Sequence, residues 1–134
     1  MTNKLQTTAY GLKKQVTISF EEAVKRVQEL LLEEGFGILT TIDVQQTLKK
    51  KLDILYDKYL ILGACHPQSA YKALKADKEI GLLLPCNVIV YEEDNQVVVS
   101  AIRPTIALSL AKHSTLAETA QEIENKLKNV LEKI

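Results

Sequence analysis

Two amphipathic segments near the ends of the chain constrain its fold most strongly, because each must place one apolar stripe against a common core. Ser19 and Glu22 open the first segment as a capping box, and Thr115 and Glu118 form a similar pair before the second. Apolar residues then recur every three or four positions, which is the spacing of one helix face. They are Phe20, Ala23, Val24, Val27, Leu30 and Leu31 in the first segment, and Leu116, Ala120, Ile123, Leu127, Val130, Leu131 and Ile134 in the second. We therefore predict two long helices that flank a sheet.

The residues between these helices predict short strands and two shorter helices. Strand-like runs occupy residues 10–18, 36–42, 59–65, 86–91 and 97–99, and the polar run 92–95 predicts a hairpin turn. Asp43 can cap a short helix that carries Val44, Leu48 and Leu52. Pro67 suits the first turn of another, with Ala70, Tyr71 and Leu74 facing inward. Segment 103–114 fits either a strand or a helical turn.

The composition indicates one globular domain over residues 1–134. Apolar residues make up 46% of the chain and charged residues 25%, which is ordinary for a folded protein. Seventeen basic residues balance seventeen acidic ones, so we expect no nucleic-acid partner. No apolar run approaches the ~20 residues that span a bilayer, and the start lacks the apolar core of a secretory signal. We predict a cytoplasmic protein without a membrane partner.

The two cysteines stand beside prolines, at junctions between predicted elements. Cys65 precedes His66 and Pro67, and Cys86 lies between Pro85 and Asn87. In a reducing cytoplasm these cysteines are free thiols, metal ligands or a redox pair rather than a structural disulfide. A small buried hydrophobic side chain is the simplest interpretation of each. At the start of a helix, however, Cys65 would have a lowered pKa.

The geometry of these thiols depends on the strand order, which the pattern leaves open. If the strands that carry Cys65 and Cys86 are antiparallel neighbours, the two sulfurs could meet. If the strands are parallel, the thiols lie at opposite ends of the sheet. Cys65 and His66 are adjacent on extended chain, where side chains point to opposite faces, and this argues against a Cys-His catalytic pair.

Four segments occur in a recognisable order: 35–37 (Gly-Phe-Gly), 48–52, the Cys65 motif followed by Ala70, Leu74 and 80–81, and 85–88 (Pro-Cys-Asn-Val). Over residues 35–103 they resemble the domain-of-unknown-function family 302 of bacteria and archaea. The resemblance implies an α+β fold with a TATA-binding-protein-like architecture. We expect a curved, mainly antiparallel sheet of about five to six short strands, packed against two long amphipathic helices plus two shorter helices. The resemblance also implies a homodimer but no established activity.

We predict that Cys65, His66, Cys86 and Asn87 line a pocket for a small ligand or metal. The family usually has Asn where this chain has His66, so a role of His66 would be particular to this protein. Arg103 could anchor an anionic ligand, although a surface ion pair is the simpler interpretation. Cys65, His66 and Cys86 could hold a divalent metal such as zinc, if carboxylates or a second subunit completed the site.

Two other functions remain open. The chain could be a thiol-dependent redox or nucleophilic enzyme, with Cys65 as the reactive thiol and Cys86 as its resolving partner. It could also be a purely structural interaction module. For a homodimer, the candidate interface edges are residues 97–99 and 106–110, because a small sheet of apolar strands needs its edges protected. Tyr56, Tyr59 and Tyr91 could line a pocket, whereas the spacing of Tyr71 with Leu74 indicates core.

Overall fold

The computed structural model describes residues 4–134, and its centre is one six-stranded antiparallel sheet. Residues 1–3 of the predicted domain lie outside the described part. The spatial order of the strands is β1-β2-β6-β5-β4-β3. Their bounds are β1 Gln6–Thr7, β2 Gly11–Val16, β3 Gly37–Asp43, β4 Tyr59–Cys65, β5 Cys86–Glu93 and β6 Gln96–Ile102. The α+β class and the mainly antiparallel, curved sheet are confirmed.

The helices include the two long and two shorter ones that the sequence predicts. Their bounds are α1 Phe20–Glu33, α2 Val44–Leu52, α3 Pro67–Ala76, α4 Pro104–Ala107 and α5 Ser114–Lys133. Two 3₁₀ turns add Lys78–Leu83 and Leu108–Ala111. Residues 104–111 of segment 103–114 are therefore helical, which decides between the two alternatives for it. No helix in residues 4–134 is both long and apolar enough to cross a membrane.

Local signals account for three of the helix ends. The Ser19 hydroxyl accepts a hydrogen bond from the Glu22 N–H, and the Asp43 carboxylate accepts one from the Gln46 N–H. Gly35 ends α1 with a φ of 88°, in the left-handed region that favours glycine. The predicted capping box of Thr115 and Glu118 is wrong. Helix α5 begins at Ser114, two residues earlier than a cap at Thr115 would allow, so Thr115 already lies inside the first turn, and His113 occupies the cap position without a side-chain hydrogen bond.

The core lies between one face of the sheet and the stripes of α1 and α5. Alternate residues of the inner strands face it, as period-2 burial requires. The core-facing strand residues include Leu12, Val16, Leu62, Ala64, Val88, Val90, Val97, Val99 and Ala101. The helices supply Phe20, Ala23, Val27, Leu30, Leu31, Ile123, Leu127, Val130 and Leu131. Both predicted stripes thus pack as expected.

A smaller apolar cluster joins α3, the 3₁₀ turns and α5, and it shows which face of α3 is buried. Ala73 and Ile80 belong to this cluster, whereas Tyr71 is 65% exposed. The prediction that Tyr71 faces inward is wrong, because the buried side of α3 runs through Ser69 and Ala73. The Tyr71 ring instead lies 5.3 Å from the ammonium group of Lys75.

The sheet order corrects the predicted interface edges. Residues 97–99 belong to β6, which pairs with β2 on one side and β5 on the other, so they form no edge. Residues 106–110 are helical. The outer strands are β3 and the two-residue β1.

Candidate functional site

The two cysteines lie at the same end of the sheet. Strands β4 and β5 are antiparallel neighbours, and their register pairs Ala64 with Cys86, one position away from Cys65. This is the layout in which the sequence predicts that the two thiols approach each other. Both cysteines are free thiols and are partly buried.

A cavity of about 250 Å³ opens at this end of the sheet, beneath α3. The predicted residues Cys65, His66 and Cys86 line it together with buried Ser69. The rest of its wall is apolar and consists of Phe36, Leu39, Ala64, Ala70, Ala73, Leu74, Leu84, Pro85, Leu108 and Ile123. Leu39 and Leu74 are 66% and 40% exposed, so they mark the mouth of the cavity.

Cys86 is a protonated thiol at neutral pH. Its pKa is raised to about 11, mainly by burial and to a smaller extent by the neighbouring Cys65, because a second negative charge nearby would be unfavourable. A thiol in this state is a weak hydrogen-bond donor and a poor nucleophile. Cys86 therefore adds polarity to the wall without adding charge.

His66 is held in place by its position before α3 and by contacts with Ser69 and Phe36. Its Nδ1 atom lies 2.9 Å from the Ser69 hydroxyl oxygen, and its ring meets Phe36 edge-on with centroids 5.5 Å apart. Burial lowers the pKa of His66, and the positive charge of Lys126 lowers it further. The imidazole is therefore neutral at neutral pH.

Gly35 gives the His66 ring its space. A Cβ atom at residue 35 would lie 3.2 Å from His66 Nε2, and the φ of 88° already disfavours any larger residue. The sequence marked Gly35 only as part of the Gly-Phe-Gly segment 35–37. Ser69 was missed as well, although its spacing of three residues from His66 across a helix start is the signal that could have found it.

The structure does not bring every predicted site residue into this cavity. Asn87 follows Cys86 on β5, so its side chain lies on the opposite face of the sheet, in a second cleft. Arg103 donates from Nε to Glu124 Oε2 at 3.2 Å and from Nη1 to the Thr8 carbonyl oxygen at 3.0 Å. This contact matches the ion-pair interpretation of Arg103. Within residues 4–134, no group of three or more His, Cys, Asp or Glu side chains is arranged to hold a metal ion.

Comparisons with known proteins agree with this architecture. The family model described as "Domain of unknown function DUF302" matches residues 12–134, a longer stretch than the 35–103 that the sequence motifs cover. A crystal structure of an uncharacterized conserved DUF302 protein from Bacillus stearothermophilus is similar, with a TM-score of 0.88 and 28% identity. The match covers 94% of this chain and 98% of that one. No curated protein matches the chain.

Proposed function

The chain belongs to the DUF302 family, whose function is unknown, and from the geometry of its cavity we propose that it binds a small, mainly apolar molecule beneath α3. The observation that carries this proposal is the cavity wall. It is apolar except for the thiols of Cys65 and Cys86, the imidazole of His66 and the hydroxyl of Ser69. Enclosed apolar walls with a few polar groups are typical of small-molecule sites.

The volume of the cavity limits the size of the ligand. A dry cavity of roughly 150 Å³ lined by aliphatic side chains binds benzene. This cavity is larger, at about 250 Å³, so it suits a bicyclic aromatic molecule or a chain of comparable size. Because the polar groups of the wall are uncharged, a charged ligand would lose its hydration without a compensating partner. A neutral ligand with one hydrogen-bonding group fits best.

The same groups favour binding over thiol catalysis. A resolving or nucleophilic cysteine acts as a thiolate, and the raised pKa of Cys86 opposes that form. His66 shares its Nδ1 with Ser69, and successive side chains at the end of a strand diverge. Cys65, His66 and Cys86 would hold a zinc ion only if further ligands completed its coordination. The binding test therefore includes zinc.

Indole tests the proposal, because it is bicyclic and neutral and carries one N–H donor. We expect calorimetric titration to show one indole site per chain. Ala70→Leu, which fills the cavity, should weaken binding at least tenfold. Ala76→Leu makes the same change at an exposed position of the same helix and should bind like the wild type. Absence of indole binding, or equal effects of the two variants, would contradict the proposal. A parallel titration with zinc chloride tests the metal alternative.

We also propose that the chain forms a homodimer through β3. This strand is an outer strand with no charged side chain between Gly37 and Ile42, and Leu39 and Ile42 are 66% and 48% exposed. Proteins normally protect such an edge with charge, a bulge or a partner. Of these features, β3 itself has only one bulge-like register shift, near Leu39. A second copy paired along β3 would cover the edge and lie beside Leu39 at the cavity mouth.

A further inference from the structure

The opposite face of the sheet carries a second cleft, which is larger than the cavity beneath α3. Its volume is about 470 Å³, and strands β2, β5 and β6 form its floor. The register aligns three residues across this floor, since Lys13 pairs with Ser100 and Ser100 pairs with Ile89. Asn87 and Tyr91 flank Ile89 on β5 and therefore share its face. One cation, one amide and one hydroxyl thus surround an apolar centre.

The wall of the cleft is the turn that precedes β2, and hydrogen bonds within the turn and from Arg103 hold it. Thr8 N–H donates to the Gly11 carbonyl at 2.8 Å, and Gly11 N–H donates to the Thr8 hydroxyl at 2.9 Å. Arg103 adds bonds from its backbone N–H to the Tyr10 carbonyl and from Nη1 to the Thr8 carbonyl, at 2.9 and 3.0 Å. The backbone of Tyr10 is fixed, although its side chain is 69% exposed. An exposed aromatic ring on a fixed rim is available to stack on a ligand.

A second aromatic ring is held on the floor. Tyr91 stacks on Tyr59 with ring centroids 5.4 Å apart and an interplanar angle of 17°. Tyr10 and Tyr91 both line the cleft. Tyr10 and Tyr91 therefore border one concave surface.

The charge in the cleft is that of Lys13, which forms no ion pair within residues 4–134. The neighbouring Lys14 faces the core side, where it donates to the carbonyl oxygens of Glu132 and Ile134. Lys13 thus offers an ammonium group beside an apolar, aromatic surface, and an anion attached to a flat ring complements both features.

We propose that this cleft is a second binding site, for a small planar aromatic carboxylate. The carboxylate pairs with Lys13 and accepts a hydrogen bond from the Asn87 amide. The ring lies on Ile89 between Tyr10 and Tyr91. This site differs in charge from the cavity beneath α3, which has neutral polar groups only, and it does not depend on that cavity.

The probe for this site is 2-naphthoate. The control is 2-naphthamide, which has the same ring system but no charge. We expect wild-type protein to bind 2-naphthoate at least tenfold more tightly than 2-naphthamide in calorimetric titration at low salt. Lys13→Met should weaken 2-naphthoate binding about tenfold and leave 2-naphthamide unchanged. Lys50→Met removes an exposed lysine of α2 outside the cleft and should change neither affinity.

Two further variants separate this site from the first. Tyr91→Leu should weaken the binding of 2-naphthoate, and Ala70→Leu should leave the binding of 2-naphthoate unaffected. The proposal is overturned if 2-naphthoate does not bind, if Lys13→Met and Lys50→Met act alike, or if Ala70→Leu abolishes binding. The last result would place the probe beneath α3 instead. Amide NMR spectra of each variant establish that its fold is native.

Discussion

Cys86 shows at the scale of one residue why the site favours binding over thiol chemistry. With a pKa of about 11, its thiolate fraction at pH 8 is about 100-fold below that of a thiol with the usual value of 9.0. We predict that iodoacetamide alkylates Cys86 about 100-fold more slowly in folded protein than in urea at pH 8. Peptide mapping by mass spectrometry measures both rates. Equal rates in the two states would show that Cys86 is reactive and would favour the thiol-dependent enzyme over the binding protein.

His66 predicts a dependence of stability on pH. Its pKa is lowered in the folded protein, so below the ordinary value of 6.5 the unfolded chain binds a proton that the folded chain resists. The contribution of His66 to the free energy of unfolding is therefore full above pH 6.5 and is lost as the pH falls below it. Urea unfolding at pH 7.5 and 5.5 should show a larger loss for wild type than for His66→Gln. One group contributes at most about 1.4 kcal/mol per pH unit. A larger loss in the variant would contradict the assignment.

Individual residues of the site were predictable where the sequence marks a junction. The prolines beside Cys65 and Cys86 located the end of the sheet where the cavity lies. Asn87 was grouped with Cys86 because the two are adjacent in sequence, but adjacent strand residues face opposite sides. Cys86 therefore lines the cavity and Asn87 lines the second cleft, although the two residues belong to one motif in the sequence.

The Glu124 carboxylate connects α5 to the segment that follows β6, through Arg103 and through Thr105 of α4. It accepts hydrogen bonds from Arg103 Nε and from the backbone N–H and hydroxyl of Thr105. Glu124 is 9% exposed and its donors are partly buried, so its removal leaves these donors without this partner. We predict that Glu124→Ala lowers the free energy of unfolding by about 1–3 kcal/mol, as measured with urea.

Glu122→Ala provides the control for this contact, because Glu122 is an exposed residue on the same helix. Its effect should stay within about 0.5 kcal/mol. Similar losses in the two variants would mean that helix propensity or net charge, and not the contact with Arg103 and Thr105, explains the effect.

Elements were predictable where their own residues determine them. Strand β4 matches its predicted bounds, and α1 and α2 begin at their predicted caps. The failures occur where tertiary packing decides. The start of α5 and the exposed position of Tyr71 follow from how α3, α5 and the 3₁₀ turns pack together, and a periodic pattern does not contain that information.

At the scale of the whole molecule, strand order was the main feature that the sequence left open. It places the two cysteines together and makes β3 an outer strand. We predict from this edge that sedimentation equilibrium at micromolar concentration gives a mass twice the 15.0 kDa of one chain. Thr41→Lys adds a charge at the exposed edge and should shift the protein to monomer, whereas Thr115→Lys on α5 should not. A wild-type monomer without concentration dependence would disprove the dimer.

The two faces of the sheet differ in chemistry, and we propose that the neutral ligand binds on the face that α3 covers. Isotope-filtered NMR measures this most directly, through nuclear Overhauser effects between bound indole and protein methyl groups. We predict contacts to the methyl groups of Ala70, Leu84 and Leu108, which line the cavity. Contacts to Ile89 or Ile102 on the opposite face, or no contacts at all with indole in excess, would contradict the account.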